Sequence, residues 1–251
     1  ASQKLLGKSG ATIPGYLLLK IYPKALFELG KNRIIVLVSG TNGKTSTTRA
    51  LTKLISQLGA TVSNSTGSNL DRGVATALMR KSEFAVLEVD ELHLTNVARA
   101  LNPRAILLLN LTRDQLHRMH EVKRVADRWR EMASKTSATI LVDIDDPFLN
   151  YVVGGAANAV RVSFGGAAGK HPDGAVCPSC GAYLNWDHGL YSCTCGLSNH
   201  HSDKKFEANS AAIRNQILAN VTSELFGVPW HESDPAMLER KVSKKFNNAE
   251  C

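Results

Sequence analysis

The stretch Ile34-Ile-Val-Leu-Val38, followed by Ser39-Gly40-Thr41-Asn42-Gly43-Lys44-Thr45, constrains the chain more than any other. An unbroken apolar run that stops at Ser-Gly reads as a buried strand ending in a turn. The next segment, Ala50 to Leu58, carries its apolar residues at helical spacing. Strand, glycine turn and helix in this order make a site for an anion. Glycines let backbone N–H groups come close to it, and the helix N-terminus adds partial positive charge. Lys44 is then placed to contact the terminal phosphates of a nucleotide, and Thr45 to bind Mg²⁺. The spacing is shorter than G-x-x-x-x-G-K-[ST]. Counting back from Gly43, the first glycine position holds Val38, and the pattern is Gly40-Thr-Asn-Gly-Lys-Thr45.

Further strands follow at 61–63, 84–89, 105–109, 138–143 and 159–164, with helical pattern between the earlier ones. Such alternation means βαβ units, an α/β fold and a mostly parallel sheet. Ligands then lie along the carboxyl edge of the sheet. Three acids stand at the end of the third strand, Glu88, Asp90 and Glu91. Glu88 is still inside the strand and is placed to hold Mg²⁺ or its waters; Asp90 and Glu91 also suit the start of a helix. Asn64 to Gly73 reads as a polar loop long enough to reach a ligand. Before the first strand, Ile13-Pro14-Gly15 reads as a turn and Tyr16 to Leu29 as one helix beside that strand. Glu121 to Lys135 is a basic helix, read as a solvated face. Ile144 to Phe148 reads as a turn, and Phe206 to Phe226 and Asp234 to Phe246 as closing helices.

Four of the five cysteines fall in Cys177-Pro-Ser-Cys180 and Cys193-Thr-Cys195, each followed by glycine. Two such knuckles joined by a hairpin over Tyr183 to Tyr191 put four thiolates around one tetrahedral Zn²⁺. A filled sulfur shell makes the site structural and not catalytic. His171, His188, His200 and His201 lie near enough in sequence to replace a cysteine. The ribbon interrupts the α/β pattern, so it is an insertion. Its metal is expected to supply most of its folding energy.

No run of 18 apolar residues exists in the sequence, so no membrane span is read. The first residues have no apolar h-region and do not read as a signal peptide. The net charge of +8 suits phosphates, anionic lipid head groups or nucleic acid. Aromatics at 6% argue against base stacking on single strands.

Several of these motifs together resemble one family. Ser39 to Thr48 is similar to the nucleotide loop of Mur ligases, ATP-dependent amide-forming enzymes of peptidoglycan synthesis, and is shared with folylpolyglutamate synthase. Leu87-Glu-Val-Asp-Glu91, Asn110-Leu-Thr-Arg-Asp-Gln-Leu-His-Arg118, Gly7 to Gly15 and the four-cysteine ribbon resemble the MurT type. The resemblance implies an N-terminal arm and helix over 1–30. It further implies a P-loop ATP-binding domain over 31–251, interrupted by a zinc ribbon at 170–202. It assigns nucleotide binding to Gly40, Thr41, Asn42, Gly43, Lys44, Thr45, Ser46, Asn110 and Arg113. Catalytic roles go to Lys44, Glu88 and Asp114, Mg²⁺ to Thr45 and Glu88, and Zn²⁺ to Cys177, Cys180, Cys193 and Cys195. The implied cofactors are ATP, Mg²⁺ and Zn²⁺.

The implied reaction is amidation of the D-Glu α-carboxylate of lipid II or a related muropeptide, through an acyl phosphate. The implied partner is a GatD-like glutaminase or a separate C-terminal ligase domain, which this sequence does not carry. The chain is then expected to bind Mg-ATP and to turn over little by itself. The expected location is the cytoplasm, with peripheral contact at the inner membrane face and no nucleic-acid partner. His117 and His120 depart from the MurT pattern, which has Asp and Gly there. Two other readings stay open: a nucleotide-binding scaffold without catalysis, and a zinc-ribbon ATPase acting on nucleic acid. Salt-sensitive binding to DNA or RNA separates the last of these.

Overall fold

The computed structural model describes residues 12–113, 119–165 and 170–205. The expected arm at 1–12, apart from Thr12, lies outside them, as do Asp114, His117 and the two closing helices. Six strands stand at the expected places: β1 (Ile34–Ser39), β2 (Thr61–Ser63), β3 (Phe84–Glu88), β4 (Ala105–Leu108), β5 (Thr139–Asp143) and β6 (Ala159–Ser163). A seventh, β9 (Lys204–Lys205), follows the ribbon and pairs with β6. The sheet order is β2-β3-β1-β4-β5-β6-β9, and every pairing is parallel.

Such strands are covered on both faces, which is why they read as continuous apolar runs and not as alternation. Ile35, Leu37, Ala85, Leu87, Ile106, Leu108 and Ile140 face one buried cluster with the helices α4 (Asp71–Leu78), α5 (Leu94–Leu101), α6 (Met119–Lys135) and α7 (Pro147–Val153). The helix after the glycine loop, α3 (Lys44–Ile55), packs on β1, β2 and β3 and buries Leu51 and Ile55 completely.

Helices replace three of the expected features. The segment before β1 forms two helices, α1 (Ile13–Ile21) and α2 (Ala25–Gly30). Pro14 sits in the first turn of α1, where its missing N–H costs nothing. Pro23 ends the helix, because the residue before a proline is pushed out of helical geometry; Tyr22 has φ −132° and ψ 88°. α1 packs mainly on α4 and not on the first strand. Gly15 makes that approach, donating its N–H to Thr76 Oγ1 at 2.9 Å; a Cβ there would lie 2.0 Å from the Arg72 carbonyl oxygen. The polar loop from Asn64 ends earlier than expected, since Asp71 already begins α4. The expected turn at Ile144 to Phe148 runs into α7. Asp146 caps it, accepting from the N–H groups of Phe148 at 2.8 Å and Leu149 at 3.2 Å.

Among the described residues no helix is long and apolar enough to cross a membrane.

Candidate functional site

β1 lies inside the sheet, with β3 on one side and β4 on the other. The chain reverses its direction of winding here, so the loop after β1 opens at a topological switch point. Gly40 has φ +144°, and a Cβ on it would come 3.0 Å from the Asn110 carbonyl oxygen. Only glycine fits this close crossing. Gly43, with φ +81°, then caps α3.

The loop is tied to the segment after β4 by five hydrogen bonds. Thr41 N–H donates to the Asn110 carbonyl at 3.0 Å, and Asn42 N–H to Asn110 Oδ1 at 2.8 Å. Asn110 Nδ2 returns a bond to the Asn42 carbonyl at 3.0 Å. Thr41 Oγ1 donates to the Thr112 carbonyl and accepts from the Thr112 N–H, both at 3.0 Å. The predicted residues Thr41, Asn42 and Asn110 are therefore brought together.

Lys44 opens α3 with its Nζ over the loop. It donates to the Gly40 carbonyl and, at 3.0 Å, to the Thr41 carbonyl, and stands 3.3 Å from Glu91 Oε1. Burial holds the Glu91 carboxyl above the usual range, against the opposing pull of Lys44. Thr45 Oγ1 donates to Glu88 Oε2 at 2.8 Å. Glu88 ends β3 opposite Val38 and is buried. Two hard oxygens converging beside a loop of N–H groups are a donor set that fits Mg²⁺.

Sequence reasoning missed what fixes Glu88. Asn64 clamps its backbone, donating from Nδ2 to the Glu88 carbonyl and accepting on Oδ1 from its N–H, both at 2.8 Å. Nor is Glu91 a simple helix-starting acid, since it faces Lys44 and α5 begins only at Leu94. Asp90 keeps the local role, its Oδ1 accepting from the Leu92 N–H at 3.0 Å.

A cleft of about 500 Å³ opens beside the loop, lined in part by Thr41, Glu91, Arg113, Arg124 and Arg128. Arg124 and Arg128 belong to α6, whose basic residues were expected on a solvated face. Both are exposed, as expected, and the solvent they face is that of the cleft; on the other side Lys123 pairs with Asp127, which accepts from the Tyr151 hydroxyl at 2.7 Å. Spacing shows which residues share a helix face, but not what lies opposite that face.

The ribbon hairpin is shorter than the expected Tyr183–Tyr191. It consists of β7 (Asn185–Asp187) and β8 (Leu190–Ser192), paired antiparallel around His188-Gly189. Both turn residues have positive φ, 44° and 79°, the two-residue turn that suits strand twist. The four sulfurs lie within 4.8 Å of one another; Cys177 to Cys195 is 3.7 Å and Cys180 to Cys193 is 3.4 Å. Four thiolates around Zn²⁺ at ~2.3 Å stand about 3.8 Å apart, so the set fits that ion. Burial pushes the Cys177 thiol up to about 12, whereas the Cys195 N–H chiefly draws Cys193 down to about 6. Only a bound cation would keep all four thiols ionised at such spacing. His171 turns away from the sulfurs, with its Nε2 3.3 Å from Asp146 Oδ2.

Fold and loop define the class, an α/β domain of the P-loop type with an inserted cysteine ribbon. The model of the Mur ligase middle domain matches residues 38–223, and the chain belongs to the Mur ligase family. It is 27% identical over 244 residues to the lipid II isoglutaminyl synthase (glutamine-hydrolyzing) subunit MurT of Staphylococcus aureus strain N315, covering 90% of this chain and 55% of that protein. With the MurT subunit of Streptococcus pneumoniae R6 it shares 31% over 199 residues, 73% of this chain and 44% of that one. The chain thus spans about half the length of the curated relatives it matches. Among solved structures, MurF of Acinetobacter baumannii aligns over 82% of this chain and 46% of its own, with a TM-score of 0.52 and 18% identity. A pseudomurein peptide ligase type C of Methanothermus fervidus also gives 0.52, at 18% identity over 70% of this chain and 39% of its own. Both likenesses concern the fold.

Proposed function

We propose that this chain is the ATP-binding part of a MurT-like ligase that amidates a carboxylate of a peptidoglycan precursor. The observation that carries the reading is the convergence of Lys44, Thr45 and Glu88 at the mouth of a loop held open by Asn110. The acceptor is the D-Glu α-carboxylate of lipid II. A carboxylate is a poor electrophile. Its oxygen attacks the γ-phosphorus, ADP leaves, and the acyl phosphate so formed is attacked by ammonia with loss of phosphate. The reaction is limited mainly by placing and neutralising charge on the transferring group.

Lys44 neutralises the phosphates, and Gly40, Thr41, Asn42, Gly43 and Ser46 cradle them. Thr45 and Glu88 are the residues that would hold Mg²⁺, which supplies charge neutralisation on the phosphates. Asn110 and Arg113 border the nucleotide, and Asp114, outside the described residues, is carried as a catalytic residue by resemblance. Cys177, Cys180, Cys193 and Cys195 hold a structural Zn²⁺. A GatD-like glutaminase supplies ammonia, and a C-terminal ligase domain closes over ATP. This assembly works at the cytoplasmic membrane face, where the basic surface of the chain, of net charge +8, suits anionic lipids and the pyrophosphate of lipid II.

Calorimetry of Mg-ATP binding tests the site. Lys44→Ala is expected to weaken binding by about tenfold to a hundredfold, the value of a charge-assisted contact. Equal affinity for Lys44→Ala and wild type would remove the loop assignment. Phosphate release that depends on both ammonia and lipid II, measured with the ligase domain and glutaminase added, tests the reaction.

A further inference from the structure

We propose that Asp173, at the base of the ribbon, is a positioning residue that aims Arg113 into the nucleotide cleft. The inference rests on reading that cleft as the nucleotide site. Asp173 is only 4% exposed, and both its oxygens are spent on one residue. Oδ2 accepts from the Arg113 backbone N–H at 2.8 Å, and Oδ1 accepts from Arg113 Nε. The first bond fixes the chain. The second fixes the side chain, and by taking Nε it leaves Nη1 and Nη2 available. Among the described residues no acceptor binds those two groups, and Arg113 lines the cleft beside Thr41. A guanidinium fixed at Nε with its outer edge free is a preorganised receptor for phosphate oxygens.

The grip is built from the ribbon side. Asp173 N–H donates to His171 Nδ1 at 3.1 Å, and His171 Nε2 stands 3.3 Å from Asp146 Oδ2. The same Asp146 oxygen accepts from the Leu111 N–H at 2.7 Å. Two carboxylates, with the His171 ring between them, therefore hold the segment after β4 at residues 111 and 113. Thr112, between them, bonds the glycine loop through Thr41. Trp186 of β7 ties the hairpin to the same turn, its Nε1 donating to the Gly174 carbonyl at 2.6 Å. The ribbon is thereby a support for one wall of the nucleotide cleft, and Asp173 is its point of contact.

The test is a cycle of Asp173→Asn, Arg113→Ala and the double variant, with Mg-ATP and adenosine affinities, zinc content and Tm measured for each. Each single change is expected to weaken Mg-ATP about tenfold and leave adenosine unaffected, and the double variant to be no weaker than Arg113→Ala. A structural role alone would lower Tm without this phosphate-selective, non-additive loss. Where Asp173→Asn loses zinc, Asp173→Glu keeps the charge and displaces it; it too is expected to weaken Mg-ATP. Wild-type affinity in the Asp173 variants, or in Arg113→Ala, overturns the proposal. A wild-type chain that binds no Mg-ATP shows separately that the nucleotide reading has failed, and it overturns both.

Discussion

The glycine loop and the cysteine ribbon are both turns that hold functional atoms in place, but different forces fix them. The loop hangs between strands whose side chains are wholly buried; Leu37, Val38, Leu87 and Ile106 are all 0% exposed. Its geometry follows from a large apolar core and from backbone bonds to Asn110 and Thr112. The ribbon encloses a cluster of Cys177, Leu184 and Tyr191, with Trp186, Cys193 and Leu197 packed against it. So few apolar groups cannot offset the chain entropy of the segment, since ordering each residue costs about 1–2 kcal/mol. A metal, or the sheet beneath it, must do so. The loop is thus a consequence of the fold, and the ribbon is a condition placed upon it.

Metal removal is the largest test of that contrast. Zinc binding at a four-thiolate site is worth about 10–16 kcal/mol in isolated zinc-finger peptides. About one zinc per chain is expected, lost on Cys180→Ser. Hydrogen exchange after chelation should collapse protection over residues 185–192 and leave β1 and β3 protected. Retained protection in the hairpin would mean that the sheet alone holds the ribbon.

The converse test is a cavity in the sheet. Leu87→Ala removes a fully buried side chain and is expected to cost about 2–5 kcal/mol in urea unfolding. Zinc content should stay the same. Zinc lost in step with stability would show one cooperative unit and erase the distinction.

What the sequence discloses follows the same division. The buried strands were legible because parallel strands covered on both faces carry no polar interruption, as in Ala105–Leu108. The cysteine spacing was legible because ligand geometry is local. Short helices were hidden by polar composition: Asp71 opens α4 inside what reads as a loop. Asp146-Pro147 was a readable start signal for α7, a capping acid followed by proline. Contacts such as Asp173 with Arg113, 60 residues apart in the chain, leave no mark in spacing. Asn64 was equally silent, because its value lies in a backbone 24 residues away.

A pH experiment probes the edge where the two regions meet. Asp143 ends β5, and burial, with Asp145 adding to it, pushes its carboxyl up to about 8. The unfolded chain gives up that proton near 4, so the folded state holds more protons between about 4 and 8. Stability therefore falls as pH rises through this window. Asp143→Asn is expected to flatten the slope and to stabilise by about 1–2 kcal/mol at neutral pH, less than the roughly 4 kcal/mol that an unrelaxed site would give over about three pH units. An unchanged slope of Tm against pH would show that the carboxylate finds a compensating charge.

The smallest effect is expected at the seam itself. Tyr191 of β8 is 1% exposed, and its hydroxyl donates to the Ile144 carbonyl at 2.9 Å and accepts from Asn150 Nδ2 at 2.8 Å. Its backbone N–H donates to Asn199 Oδ1 at 2.7 Å, and Asn199 Nδ2 in turn donates to Asp145 Oδ1 at 2.8 Å. The aromatic ring belongs to the ribbon cluster, while the hydroxyl reaches the end of the sheet. Tyr191→Phe keeps the ring against Trp186 and removes only the latch. The expected cost is about 1 kcal/mol, because Asn150 still donates to the Ser198 carbonyl and only the Ile144 carbonyl loses its donor. If the metal alone fixes the ribbon, the latch is lost with the hairpin on chelation, and the substitution should cost the loaded protein about 1 kcal/mol and the chelated protein almost nothing. If the sheet shares the work, the loss should be larger after chelation, when the hydroxyl is one of the few remaining ties.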